Sequence, residues 1–227
     1  MSSLAFTRPI LYSFRRCPYA MRARMALWSS GLTVELREVV LGRKPAALLE
    51  ASPKGTVPVL DLGVGGGVIE QSLEIVHWAL NQSDPECWLS GDRDLCLKLI
   101  FENDGDFKKN LDHYKYPDRH GGSGDEARTA GISFLRRLEV QLELTVKGFL
   151  MGSTFTVADA AIFPFIRQFA SVDKEWFDAL PLPRLRAWLA LCLATDVFKQ
   201  IMLRFDEWKP GSEVVLWGRA LSSLKKD

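Results

Sequence analysis

Ile10-Leu11-Tyr12-Ser13-Phe14-Arg15-Arg16-Cys17-Pro18-Tyr19-Ala20 decides the architecture of this 227-residue chain. Its first half alternates. Ile10, Tyr12 and Phe14 fall on one face of a strand over Pro9–Phe14, because successive side chains of an extended chain point to opposite faces. Its second half opens a helix, since a proline in the first helical turn gives up only an N–H that had no intrahelical partner. From Tyr19 to Ser30, two sets recur at three- and four-residue spacing: Ala20, Ala23 and Leu27, then Met21, Met25 and Trp28. Gly31 supplies a left-handed stop. Thr33–Val40 alternates again, with Val34, Leu36 and Val40 on one side. Strand, helix, strand in this order predicts a right-handed parallel crossover.

Working outward, Pro45–Ala51 reads as a short helix. Thr56–Asp61 and Val68–Glu70 read as two strands joined by the glycine-rich turn Leu62–Gly67, and Ser72–Leu80 has helical spacing. Residues 1–82 are thus expected to form an α/β domain of order β-α-β-α-β-β-α. Asn81–Gly91, with Pro85 and Gly91, reads as a linker. Residues 92–227 are expected to form an all-α domain, with helices over Asp92–Leu111, Asp125–Lys147, Thr156–Ser171, Pro183–Ala194 and Asp196–Arg204. Val214, Val215 and Leu216 carry only a faint strand pattern.

Composition narrows the function. Hydrophobic residues make up 47% of the chain, and its 13 Phe and 7 Trp can offset the entropy of ordering, which excludes global disorder. The 29 Lys and Arg are balanced by 28 Asp and Glu, a net charge of +1, so no clustered cation field grips nucleic acid. The apolar run Ala187–Thr195 is far short of a membrane span, and no membrane partner is expected. Met1–Pro9 lacks the apolar core of a secretory signal. Cys17, Cys87, Cys96 and Cys192 are too few and too scattered for a disulfide framework. Reduced thiols in a cytoplasmic protein are the expectation.

Cys17 carries the chemistry. At a strand-to-helix junction its sulfur can face unpaired amides and the positive end of the helix dipole, with Arg15 and Arg16 adding charge. Such surroundings lower a thiol pKa from about 8.5 to roughly 3.5–7.5 and leave a nucleophilic thiolate. The motif is Cys-Pro-Tyr-Ala, without a second cysteine, so an external thiol must resolve any mixed disulfide. Pro58, within Lys54-Gly55-Thr56-Val57-Pro58-Val59-Leu60, is a candidate cis-proline that leaves an edge backbone open to a ligand. At Glu70-Gln71-Ser72, a hydroxyl able to cap the helix, an amide side chain and helix-terminal N–H groups can receive a carboxylate. His77 is expected to pack against the apolar face of its helix. His113 and His120 lack partners at metal-ligand spacing, so no metal site is expected.

Taken together, these three elements and Thr156-Val157-Ala158-Asp159 resemble the glutathione transferase superfamily, over nearly the whole chain. Cys-Pro-Tyr-Ala is most similar to its cysteine-type, omega-like branch, in a bacterial-style member. Thr156 and Asp159 would form a reciprocal helix-capping box. The resemblance implies a thioredoxin-like N-terminal domain and a helical C-terminal domain. It implies glutathione as co-substrate, bound by Lys44, Val57, Pro58, Gln71 and Ser72, and a mixed disulfide between Cys17 and glutathione. It also implies a homodimer, and a small-molecule or glutathionylated co-substrate in a pocket including Tyr114 and Tyr116. The family often places an acidic residue where Gln71 stands.

The leading expectation is a glutathione-dependent thiol transferase or reductase. One alternative is conjugation of glutathione to small electrophiles, with Ser13 or backbone amides stabilising its thiolate; Tyr12 is the other hydroxyl competing with Cys17. Another is a non-enzymatic interaction protein on the same fold.

Overall fold

The structure, a computed structural model, describes residues 8–145 and 148–219. They divide into two compact units: one formed by residues up to Glu86 together with those from Lys199 onward, the other by Cys87–Phe198.

The first unit opens with β1 (Ile10–Ser13), α1 (Pro18–Ser29), β2 (Val34–Glu38) and α2 (Ala46–Ala51). β3 (Val59–Asp61), β4 (Val68–Ile69) and α3 (Ser72–Gln82) follow. The strands lie in the order β4-β3-β1-β2, extended beyond β2 by β5 (Leu216–Trp217). β1 runs parallel to β2, with Leu11 level with Leu36, and antiparallel to β3, with Leu11 level with Leu60. Ile10, Tyr12 and Phe14 share a face as their alternation requires, and pack around Ala20, Leu48 and Val59. α1 is buried along almost its whole length, including Arg22 and Arg24, and packs on α3. β2 stops at Glu38, so Val39 turns inward and Val40 is exposed, which breaks the expected Val34-Leu36-Val40 face.

β5 changes the division read from the sequence. The chain from Lys199 onward does not stay with the helices; it returns to the first unit. β5 pairs antiparallel with β2, placing Trp217 opposite Val34. Leu36 N donates to Val215 O at 2.8 Å and Trp208 N to Glu38 O at 2.8 Å. The Trp217 ring lies 5.7 Å from Trp28, and the buried Arg24 guanidinium sits 5.3 Å from the Trp217 centroid and 5.8 Å from Phe205. This return covers the row of backbone groups that an edge β2 would otherwise present.

The second unit contains α4 (Arg93–Glu102), a π-helical segment (Asn103–Phe107), α5 (Lys108–Lys115), α6 (Pro117–His120) and α7 (Asp125–Thr145). It continues with α8 (Val157–Ala170), α9 (Lys174–Ala179) and α10 (Pro183–Ala194), and the chain leaves it through α11 (Asp196–Ile201). The single helix expected over Asp92–Leu111 is interrupted at Gly105, whose ψ of −109° no helix accommodates. Asp159 organises this unit. Fully buried, it accepts Leu150 N at 2.9 Å, Trp188 Nε1 at 2.8 Å, Thr156 N at 2.9 Å and the Thr156 hydroxyl at 3.0 Å. The expected reach from Asp159 back to the Thr156 amide is therefore present. Gly131 lets α7 approach the aromatic cluster: a Cβ there would lie 2.7 Å from the Phe169 ring.

Candidate active site

Cys17 is the N-cap of α1. Its φ of −74° and ψ of 122° are extended, Pro18 opens the helix, and its carbonyl accepts the first helical bond from Met21 N at 2.9 Å. The preceding turn is closed by Cys17 N donating to Phe14 O at 2.9 Å. This geometry leaves the half-buried sulfur at the positive end of a twelve-residue helix. The two arginines before it are otherwise engaged. Arg15 Nη1 donates to Met202 O at 3.3 Å, and the Arg16 guanidinium rests 5.6 Å from the Phe14 ring centroid.

Facing Cys17 is the segment before β3. Cys17 Sγ lies 3.6 Å from Val57 O, as donor to acceptor, and the Val57–Pro58 peptide is cis, as its sequence context suggested. Gly55, at φ +57°, carries the chain into this segment. The Lys44 side chain crosses it: a Cβ on Gly55 would stand 3.4 Å from Lys44 Nζ and 2.8 Å from Leu49 Cδ2. A side chain at position 55 would therefore press on the Leu49 and Lys44 side chains and sit on a strained positive-φ backbone.

β3 and β4 bring in the third element. Leu60 pairs with Ile69, and continuing that antiparallel register carries Pro58 level with Gln71. An exposed ion pair, Lys54 Nζ to Glu70 Oε2 at 2.9 Å, ties the same two segments. Gln71, not Ser72, is the N-cap of α3, and neither side chain makes a capping hydrogen bond. The expected capping role of Ser72 is thus absent. Its hydroxyl sits in the first turn beside helix-terminal amides, which suits an anion. His77 is exposed on α3 and not packed as expected.

The competing hydroxyls lie elsewhere. Tyr12 is 2% exposed; its hydroxyl accepts Arg37 Nη1 at 2.7 Å and its ring meets Trp208 edge-on. Burial pushes its phenol above the usual range. Ser13 is fully buried, and its Oγ has no hydrogen-bond partner among the described residues. Neither is accessible to a ligand.

In the second unit, the Tyr114 ring is buried against Phe169 at 5.0 Å and Trp176 at 6.3 Å, with the Arg128 guanidinium 5.9 Å away. It serves that unit's core. Tyr116 is 36% exposed, its ring covered by Lys115 and Arg119. Burial pushes the Cys96 thiol up to about 11 and holds Cys192 well above the usual range. Among the described residues, no group of three or more His, Cys, Asp or Glu converges as for a metal. No described helix is long and apolar enough to cross a membrane.

Residues 11–86 match the family model "Glutathione S-transferase, N-terminal domain", and residues 122–191 match "Glutathione S-transferase, C-terminal domain". The chain belongs to the glutathione S-transferase superfamily. Against glutathione S-transferase omega-1 of Rattus norvegicus this transferase-family chain is 27% identical over 187 residues, covering 79% of this chain and 74% of the relative. A glutathione transferase family member from Pseudomonas fluorescens, solved with two glutathione bound, superposes with a TM-score of 0.72 at 19% identity. That match covers 88% of this chain and 94% of the other. Glutathione transferase Omega 3C from Trametes versicolor gives 0.71 at 17%, covering 88% and 91%. At these identities the two solved structures speak for the fold, which is the transferase fold read from the sequence.

Proposed function

We propose that this superfamily member is a cysteine-type, omega-like thiol transferase or reductase that uses glutathione. The observation that carries the reading is Cys17 as N-cap of α1, facing the Val57 carbonyl across the cis-Pro58 segment. The Cys17 thiolate attacks the glutathione sulfur of a glutathionylated co-substrate. One disulfide breaks, the product thiolate leaves and takes up a proton, and Cys17 is left bonded to glutathione. A second glutathione, as thiolate, attacks that sulfur; oxidised glutathione departs and Cys17 regains its thiolate. The absence of a second cysteine at Ala20 makes the external thiol obligatory.

The chain's own groups would hold glutathione. Val57 offers its backbone to the cysteinyl part, Lys44 its ammonium to the glycyl carboxylate, and Gln71 and Ser72 the start of α3 to the γ-glutamyl end. Of the two tyrosines assigned to the co-substrate, Tyr116 is the accessible one. The omega-1 relative supports the subclass, and the Pseudomonas structure's two bound glutathiones support the ligand. A homodimer is part of the reading: Leu97 and Phe101 on α4, and Val140 and Leu144 on α7, are apolar, exposed and four apart on their helices. The proposed setting is the cytoplasm, where glutathione keeps thiols reduced.

Incubation with oxidised glutathione and peptide mapping by mass spectrometry tests this directly. A glutathione adduct on the Cys17 peptide is expected, and an unmodified Cys17 would overturn the reading. Lys44→Ala and Ser72→Ala are each expected to raise the Kd for glutathione about tenfold, the cost of one hydrogen bond to a charged group. Calorimetry on each variant checks it.

A further inference from the structure

We propose that Glu38 is a positioning residue for Cys17, its carboxylate clamping the turn before the sulfur to the helix after it. The proposal rests on Cys17 being the reactive group, as read above. Glu38 is the last residue of β2, opposite Ser13 at the end of β1. One oxygen accepts the Arg15 backbone N–H at 2.6 Å, inside the turn that Cys17 N closes on Phe14 O. The other faces Arg24 Nη1 at 3.3 Å, and Arg24 belongs to α1, the helix that Cys17 caps. A single side chain therefore holds the chain on both sides of Cys17.

The clamp is enclosed. Arg24 is fully buried between Phe205 and Trp217, and its Nε and Nη2 have no hydrogen-bond partner among the described residues. Glu38 is thus the carboxylate that offsets its charge. The returning C-terminal segment closes the arrangement from the far side, through Trp208 N on Glu38 O and Met202 O on the Arg15 guanidinium. A sulfur gains from a helix terminus only within its first turn, so a small displacement of this turn costs much of the dipole's effect. Substrate contact is not required of Glu38. It acts through the backbone of Arg15.

The readout is the alkylation rate of Cys17 across pH, followed peptide by peptide so that exposed Cys87 does not contribute, in the full chain carrying Glu38→Asp, Glu38→Ala or Glu38→Gln. Aspartate is one methylene short of spanning both partners. In this variant and in Glu38→Ala, alkylation at neutral pH is expected to slow about tenfold, with its pH midpoint moved upward. Glu38→Gln retains an oxygen for Arg15 N but turns an NH2 toward Arg24, so it is expected to recover only part of the rate. Melting curves identify the folded variants, and Glu38→Asp keeps the test alive if Glu38→Ala fails to fold beside an unpaired Arg24. A folded Glu38→Asp or Glu38→Gln with the wild-type alkylation profile would overturn the proposal. Alkylation needs neither glutathione nor substrate, so it judges Glu38 even if disulfide exchange is not the reaction.

Discussion

Cys17→Ala is expected to lower kcat/KM for glutathione-dependent disulfide exchange by at least about a thousandfold, as removal of a nucleophile does elsewhere. The expectation follows from the absence of a substitute beside Cys17. Position 20 is alanine, so no neighbouring thiol can take over within the motif. Ser13 and Tyr12 are buried, the second occupied by Arg37, and neither offers an accessible hydroxyl. Cys96 and Cys192 belong to the second unit, where burial holds their thiols protonated at neutral pH. Glutathione binding should persist, because Lys44, Val57, Gln71 and Ser72 are untouched. Turnover and calorimetric Kd measured on the same preparation separate the two effects. Exchange that survives in the variant would dismiss the mechanism. Conjugation of an electrophile that survives while exchange is lost would instead reveal a second activity, supported by the amides at the start of α1.

The largest effect on stability is expected from Asp159→Ala, about 3–5 kcal/mol. The carboxylate receives four donated hydrogen bonds from three places in the chain: Leu150, Thr156 and Trp188. All lie in the interior of the second unit, and alanine leaves the donors buried without water to replace the lost acceptor. The Trp188 indole N–H and the Leu150 amide would each bear a desolvation penalty, and the α8 N-terminus would lose its anchor. Urea unfolding followed by tryptophan fluorescence checks the magnitude. Asp159→Asn keeps one acceptor oxygen but turns an NH2 toward donors, so it should rescue only part of the loss. A variant within about 1 kcal/mol of wild type would show that solvent or rearranged neighbours satisfy these groups.

Much of this architecture is legible in the sequence where local signals are strong. The alternation through Ile10, Tyr12 and Phe14, the Cys17-Pro18 junction and the stop at Gly31 place β1 and α1 to within a residue or two. Thr156 and Asp159, three apart ahead of an apolar run, announce α8 and its capping interaction. What escapes the sequence is specified by partners and not by periodicity. Two residues, Leu216 and Trp217, are too few to show alternation, and only the open edge of β2 makes them a strand. Glu38 reads as one polar position at a strand end, because Arg15 and Arg24 approach it through the fold. Gly105 interrupts a helix whose spacing continues on both sides, so its neighbours still look helical. Ser72 lies one residue inside α3 because Gln71 takes the N-cap, and helix ends are fixed less tightly by sequence than helix interiors.

The return of the chain to β2 also bears on the order in which this protein can be completed as it is synthesised. The helical unit is an insertion within the sequence of the first unit, whose sheet gains its last strand from residues 216–217. On the ribosome, β1, α1 and β2 emerge long before Phe205, Trp208 and Trp217 exist to cover Arg24 and Glu38. The turn around Cys17 is therefore finished last: a nascent chain ending at Glu86 possesses Cys17 but not the segment that encloses its proposed clamp.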